Sequence, residues 1–244
     1  MRIALLSDIH GNLLAFEAVL ADIASRGAFD QIVAAGDLAW AGPWPAEVVD
    51  RVREATTAAV QGNTDTFCGY PPDAPPEDKQ PGEFAALQRW TCQRLGPERV
   101  AYLLALPFAH RVSPAPGHDL LVVHATPSNI EQHITPQMDD EDLDDILGPA
   151  EAADWEVLAF GHYHIPFVRR WRGHLLVDVS SVGLPRDGDR RSVYATLTWD
   201  GRAWQAEHHR VLYDVPVVAH TMQTCGLPRG KYFAERLVRA RYSH

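Results

Sequence analysis

Seven side chains of metal-binding type recur at short spacings: Asp8 and His10 two apart, Asp37 after Gly36, Asn63 after Gly62, His124, and the pair in Gly161-His162-Tyr163-His164. All are oxygen or nitrogen donors and none is a thiolate. That suits Mn, Fe, Zn, Ni or Mg, among which the donor types do not choose, over a Cys-rich structural zinc. Residues two apart in extended backbone point the same way, so Asp8 with His10, and His162 with His164, can each address one place. Asp37 has two carboxylate oxygens, enough to bridge two cations about 3.5–4 Å apart. One division uses every donor. Asp8, His10, Asp37 and His164 hold a first divalent ion, and Asp37, Asn63, His124 and His162 hold a second. A dinuclear centre of this kind does hydrolysis, because it can polarise a substrate oxygen and activate water.

Such a centre needs its ligands delivered to one place. Each ligand segment follows an apolar run of strand character, namely Ile3 to Leu6, Ile32 to Ala35, Ala58 to Val60, Leu120 to Val123 and Val157 to Phe160. The donors therefore belong at strand ends, where open sheets collect their ligands. Taken singly, each has a plainer reading: an Asp that caps the next helix, a Gly-Asn turn, a His packed in the core. The order and placement of all seven carry the metal reading.

The first third alternates strand and helix. Phe16, Val19, Leu20 and Ile23 have the i, i+3, i+4, i+7 spacing of an amphipathic helix over about 13–26, which predicts a parallel βαβ start. A helix over about 46–54 follows, then helical stretches over 83–95 and 97–106. Strands are expected at 119–125, 156–161, 174–181, 192–199 and 203–211, with Asp200-Gly201 as a hairpin turn. Their succession predicts a largely antiparallel second sheet. Two helical segments over about 214–241, separated by Gly226-Leu227-Pro228-Arg229-Gly230, are expected to pack outside, and 1–244 is read as one domain. Residues 70–82 hold too many prolines for helix or inner strand, so they form an exposed loop, either connector or lid. Asp139 to Asp145, six acids in seven residues, reads as a solvated helix N-terminal region rather than a metal site.

At 244 residues with 46% hydrophobic composition the chain can bury a sizeable core. A net charge of −10 argues against a sequence-independent grip on nucleic acid or an anionic membrane, since both need many Lys and Arg. A phosphate-bearing substrate would have to be attracted locally, by the dications; a homo-oligomer stays open. Cys68, Cys92 and Cys225 are odd in number and far apart, which suits reduced thiols in a reducing compartment. No run has the length of a signal peptide or a membrane span, so a cytoplasmic location is expected.

This order of motifs resembles the calcineurin-like metallophosphoesterase superfamily, specifically its small bacterial and archaeal phosphodiesterase-like branch. Residues 1–14, Gly36-Asp37-Leu38 with Gly42-Pro43 and Pro45, Val123-His124, Gly161-His162-Tyr163-His164 and Ser181 to Gly188 all correspond. The resemblance implies an α/β fold, a four-layer α-β-β-α sandwich of two mixed sheets. It implies that Asp37 and a hydroxide bridge the two metals and that the hydroxide attacks phosphorus in line. Asn12 then lies near the substrate in family fashion, or else caps the helix beside it.

Two departures shape the expected activity. Many members have a His directly after the metal-binding Asn, as general acid for the leaving oxygen, and here Thr64 is followed by Asp65. A threonine hydroxyl cannot do this near neutral pH, and losing a general acid typically costs 10²–10⁴-fold. Asp65 or His133 is left to supply the proton, or the leaving group needs little help, which favours small phosphodiesters. The loop after Asp37 also lacks the phosphate-gripping Arg of the protein Ser/Thr phosphatase branch, leaving Arg186 as a phosphate contact or as part of a surface turn. The expected function is a dinuclear-metal phosphoesterase acting on small phosphodiesters or nucleotides. The alternatives are a dinucleoside polyphosphate or phosphomonoester hydrolase and, outside enzymes, a metal-binding scaffold.

Overall fold

Strand β1 (Arg2–Leu6) is apolar on both faces, and the period of two divides its side chains between two cores. Ala4 and Leu6 enter one cluster, Ile3 and Leu5 another. The computed structural model describes residues 1–71 and 80–241, and everything below concerns those residues.

Helix α1 (Leu13–Ser25) lays Phe16, Val19, Leu20 and Ile23 onto the Ala4 and Leu6 face. The chain returns as β2 (Gln31–Ala34), parallel to β1 with Ile3 opposite Gln31. Helix α2 (Pro45–Ala55) starts on a proline whose missing N–H has no helical partner to lose. Its Val48, Val49 and Val52 join the same cluster, and β3 (Ala58–Ala59) pairs parallel with β2. After a 3₁₀ turn over Thr64–Gly69 comes α3 (Pro81–Leu104), broken at Gly96 (φ 71°) before Pro97, where the sequence divides two helical stretches.

Strands β4 (Ala109–Val112) and β5 (Leu120–Val123), helix α4 (Asp140–Leu147), and strands β6 (Val157–Phe160), β7 (Phe167–Trp171) and β8 (His174–Asp178) build the second sheet, ordered β4-β5-β6-β8-β7. Strands β9 (Ser192–Trp199) and β10 (Trp204–Val211) return to the first, ordered β10-β9-β1-β2-β3. Helices α5 (Val215–Thr224) and α6 (Gly230–Arg239) end the fold.

The expectation of a largely antiparallel second sheet is corrected on two points. β5, β6 and β8 run parallel, because the long crossover through α4 lets β6 start again from the same end. The β9–β10 hairpin pairs antiparallel with β1, placing a mixed arrangement in both sheets. β4 and β7 escaped the sequence reading. Both lie at sheet edges and carry polar residues (Ala-His-Arg-Val; Phe-Val-Arg-Arg-Trp) that blur alternation.

Between the sheets sit Ile3, Leu5, Val33, Leu120, Val122, Val157 and Val177. Each such side chain contributes about 1.5–3 kcal/mol, more than the roughly 0–1 kcal/mol of an exposed pair such as Arg51–Glu17. The inter-sheet core therefore dominates. Helices α1 to α3 cover the outer face of the first sheet, and α4 with Trp155 covers that of the second. The acidic run is a helix start, with Asp139 and Asp142 forming a capping box.

The reading of three reduced thiols is corrected as well. Cys68 on the 3₁₀ turn and Cys92 on α3 form a disulfide, and Cys225 is free. Their 24-residue separation hides a contact made by the turn folding onto α3. The thiol argument for a reducing compartment goes with it. No helix among the described residues is long and apolar enough to cross a membrane. Of the expected loop or lid at 70–82, residues 72–79 lie outside the described residues, as does His244.

Candidate metal centre

The carboxyl ends of β1, β2 and β3 in one sheet meet those of β5 and β6 in the other, bringing all seven predicted donors together. The backbone does not arrive extended, as the sequence reading assumed. Asp8 (φ 53°), His10 (φ 49°), Asp37 (φ 55°), His162 (φ 67°) and His164 (φ 64°) are all left-handed. Each such non-glycine residue costs on the order of 1–3 kcal/mol and persists only where its surroundings enforce it. Here the enforcement is visible. The Asp8 amide donates to the Gly36 carbonyl at 2.9 Å and the His10 amide to the Asp37 carbonyl at 3.0 Å. The Asp8 carbonyl accepts from the Ser181 hydroxyl at 2.7 Å and from the Gly183 amide at 2.9 Å.

Each histidine has one ring nitrogen engaged by a backbone carbonyl: His10 Nδ1 by Trp40 at 3.0 Å, His124 Nδ1 by Ala35 at 2.8 Å, His164 Nδ1 by Leu184 at 2.6 Å, His162 Nε2 by Glu131 at 2.9 Å. A carbonyl only accepts, so the proton of each neutral ring sits on that nitrogen. The other nitrogen then presents a lone pair. These lone pairs converge. His10 Nε2 lies 3.3 Å from His164 Nε2, and His124 Nε2 lies 3.1 Å from both His162 Nδ1 and Asn63 Oδ1. Asp8 Oδ1 is 2.9 Å from His164 Nε2 and 3.6 Å from His10 Nε2. Asp37 faces both groups, with Oδ2 3.7 Å from His10 Nε2 and Oδ1 3.5 Å from His124 Nε2. Two sets of acceptors aimed at common points repel unless a cation lies between them. On that chemistry the donor set fits divalent metal ions.

The electrostatics agree. Burial works to raise the Asp8 carboxyl, but His164 and hydrogen bonds from His10 and His164 hold it well below the usual range. Burial, then the neighbouring His124, pushes His162 down to about 3, and burial lowers His164, so both rings are ready as neutral ligands. Burial opposes charge on His10 and His124, yet the surrounding carboxylates hold both above the usual histidine range. The field that favours a proton there favours a metal cation equally. Asp8 with His10 and His164, and Asp8 with Asp37 and His124, form groups of donors within 4.8 Å of one another.

The remaining predicted residues divide. Asp65 is not on the cavity wall: Oδ2 accepts from the Asp37 and Gly62 amides and Oδ1 from the Leu38 amide, each at 2.9 Å. Burial and the charge of Asp37 push it up to about 7, against three N–H donors that favour the carboxylate. Its geometry is that of a brace for the Asp37 turn, and the expectation of a proton donor there finds no support. Asn12 caps α1 through the Ala15 amide at 3.2 Å and donates to the Gly183 carbonyl at 3.1 Å, so its contacts are structural. His133 lines the cavity and meets His162 edge-on at 4.5 Å between ring centroids; desolvation lowers its pKa. Arg186 and Thr64 also line the cavity, the Thr64 hydroxyl oxygen being buried and without a hydrogen-bond partner among the described residues.

The cavity over the donors has a volume of about 700 Å³. Its wall includes residues the sequence reading passed over: Trp40, Phe67 and Phe84, and from α6 Tyr232, Phe233 and Arg236. The available signal was the i, i+1, i+4 spacing of Tyr232, Phe233 and Arg236, which puts an arginine and two aromatic residues on one side of the helix.

Residues 1–202 match the model of the calcineurin-like phosphoesterase superfamily domain. An uncharacterized protein of Methanocaldococcus jannaschii, MJ0912, is 30% identical over 252 aligned positions covering 96% of each chain. A metallophosphoesterase structure from Sphaerobacter thermophilus is 28% identical with a TM-score of 0.77, over 98% of this chain and 99% of that one. The hypothetical protein PH1004 of Pyrococcus horikoshii shares the fold at a TM-score of 0.82 and 20% identity, over 99% of both. A family match over most of the length, on a sandwich whose strand ends gather these donors, makes the chain a member of the calcineurin-like phosphoesterase superfamily.

Proposed function

We propose that this protein is a phosphoester hydrolase dependent on two divalent ions, Mn favoured, acting on small phosphodiesters or nucleotides. One observation carries the reading: four imidazoles, each tied by one nitrogen to a backbone carbonyl, aim the other at points shared with Asp8, Asp37 and Asn63. Asp8, His10, Asp37 and His164 would hold one ion, and Asp37, Asn63, His124 and His162 the other. Bound divalent ions supply Lewis-acid polarisation of phosphoryl oxygens and acidify water for attack.

Residues of this chain do the rest. Asp37 sets the spacing of the two donor groups, and Asp65 holds the Asp37 turn through its amides. Thr64 anchors Asp37 Oδ1 through its own amide at 2.9 Å. Arg186 lines the same cavity and would meet a phosphoryl oxygen there. In the hydrolysis, water oxygen bonds to phosphorus, the ester P–O bond breaks, and the leaving oxygen takes a proton. His133 is the group on the cavity wall that can give it; its pKa is lowered in the free protein, and a bound phosphate anion beside it favours the imidazolium.

Protein purified without chelator should carry about two transition-metal ions per chain by elemental analysis, and with Mn²⁺ it should hydrolyse bis(p-nitrophenyl) phosphate. A chain that neither holds nor takes up metal would sink the enzyme reading, and one that holds metal yet hydrolyses no phosphoester would favour the scaffold. His133→Gln should lower kcat about 10²–10⁴-fold for an alkyl leaving group and far less for p-nitrophenolate, which needs no proton. Equal losses on both leaving groups would remove His133 as proton donor.

A further inference from the structure

The cavity is far larger than one phosphoryl group needs. Its volume of about 700 Å³ falls in the range of sites that enclose whole small ligands, about 300–1,000 Å³, so most of it must recognise something other than the scissile phosphorus. What lines that space has two characters. Trp40, Phe67 and Phe84 pack into one largely buried aromatic cluster whose edge lines the cavity, Trp40 lying 4.8 Å from Phe67 and 5.6 Å from Phe84 between ring centroids. From α6 and the residue that precedes it, Arg229, come arginines around a tyrosine. Arg229 donates to Glu83 at 2.6 Å and stands 4.1 Å over the Tyr232 ring, while Arg236 donates to the Tyr232 hydroxyl at 3.2 Å.

The positive charge is concentrated. Arg186, Arg229 and Arg236 share the cavity, and Arg186 and Arg236 also line a small adjoining recess with Arg241. Glu83, ion-paired to Arg229, and Glu131 line the same space, so three guanidinium groups face two carboxylates and the wall keeps a positive excess in a protein of net charge −10. Guanidinium forks suit phosphate oxygens, and aromatic faces suit a flat ring. The metal donors and this wall line one continuous space, so a single molecule can reach both.

We infer that the α6 wall is a second anion subsite, with Arg229 and Arg236 as its specificity-determining residues. The favoured substrate is a nucleotide bearing two separately placed phosphoryl groups. One is hydrolysed at the Asp8–His164 donors, the base lies against the aromatic edge, and the other phosphoryl is held by Arg229 and Arg236. This rests on the phosphoesterase reading and names the substrate class for that same site.

The test uses a matched pair in the Mn²⁺-loaded full chain: thymidine 5′-(p-nitrophenyl phosphate), and the same compound with a 3′-phosphate. Leaving group and scissile centre are identical, so only the second anion differs. Charge-assisted hydrogen bonds to that anion predict a kcat/KM preference of about 10- to 100-fold for the 3′-phosphorylated compound. Arg229→Gln and Arg236→Gln should each shrink the preference. Arg229 is exposed, so its replacement keeps the fold even if Arg236→Gln does not. No preference in the parent protein, or one unchanged in both variants, overturns the inference. Binding of thymidine 3′,5′-bisphosphate against thymidine 5′-monophosphate, by calorimetry, separates the two readings. If nothing is hydrolysed yet the bisphosphate binds at least tenfold tighter and Arg229→Gln removes the difference, the subsite stands and the hydrolase reading falls. Equal binding of both removes the subsite whatever the activity.

Discussion

Asp37→Asn should abolish turnover of bis(p-nitrophenyl) phosphate, lowering kcat/KM by about 10³-fold or more and cutting metal content by elemental analysis. The Asp37 carboxylate is the group that faces both donor sets, Oδ2 toward His10 and Oδ1 toward His124. Asparagine keeps the shape but replaces one oxygen with an N–H₂ donor and removes the negative charge. One face of the site then presents a donor where a cation is to sit. Electrostatic stabilisation by a metal is worth several kcal/mol, and each 1.36 kcal/mol is tenfold in rate, which gives the thousandfold scale. The backbone braces to Asp65 use the amides of Asp37 and Leu38, not the Asp37 side chain, so the fold should survive. Retained metal together with retained turnover would show that Asp37 does not join the two groups.

The second large effect comes from a residue without a side chain. A Cβ on Gly161 would lie 2.1 Å from Ser7 Oγ, 2.3 Å from Asp8 Oδ2 and 2.6 Å from Ser7 Cβ. Ser7 and Asp8 are 0% exposed and cannot move aside cheaply. Asp8 Oδ2 also accepts the His162 amide at 2.9 Å, so displacing it disturbs two donors at once. Overpacking of this kind typically costs about 1–3 kcal/mol and occasionally more. For a chain of this size each kcal/mol lowers Tm by about 2–4 °C. Gly161→Ala is therefore expected to melt about 5 °C or more below the parent and to bind metal at least about 10- to 100-fold more weakly. Gly82→Ala is the control, because a Cβ there meets nothing within 4 Å. If the two variants melt within a degree of each other and both keep their metal, the close approach at Gly161 has no energetic weight.

What the sequence disclosed about this fold is what local chemistry writes into it. The donor segments were legible because each ends an apolar run, and α1 because Phe16, Val19, Leu20 and Ile23 keep helical spacing. The break at Gly96-Pro97 was legible from backbone restriction alone. What stayed hidden depends on distant partners. β9 joins β1 across nearly the whole chain, with Ile3 opposite Leu197, and no local pattern selects β1 over β5 as its neighbour. Cys68 and Cys92 meet because a turn folds onto a helix. Asp65 read as a proton donor, whereas its oxygens are taken up by three amides, two from the Asp37-Leu38 turn and one from Gly62 in its own turn. The last helix read only as a segment packed outside the sandwich, and tertiary packing is what puts its Tyr232, Phe233 and Arg236 on the wall of the donor cavity.

The donors are split between the sheets: Asp8, His10, Asp37 and Asn63 follow strands of the first, and His124, His162 and His164 follow strands of the second. Any cation engaging both groups binds only while the sheets are docked. By mass action it adds RT ln(1 + [M]/Kd) to the cost of pulling them apart, about 2.7 kcal/mol at a hundredfold excess over Kd. The halves of the sandwich are then stitched by a solute, and the heat the molecule withstands becomes a function of how much of that solute its surroundings contain.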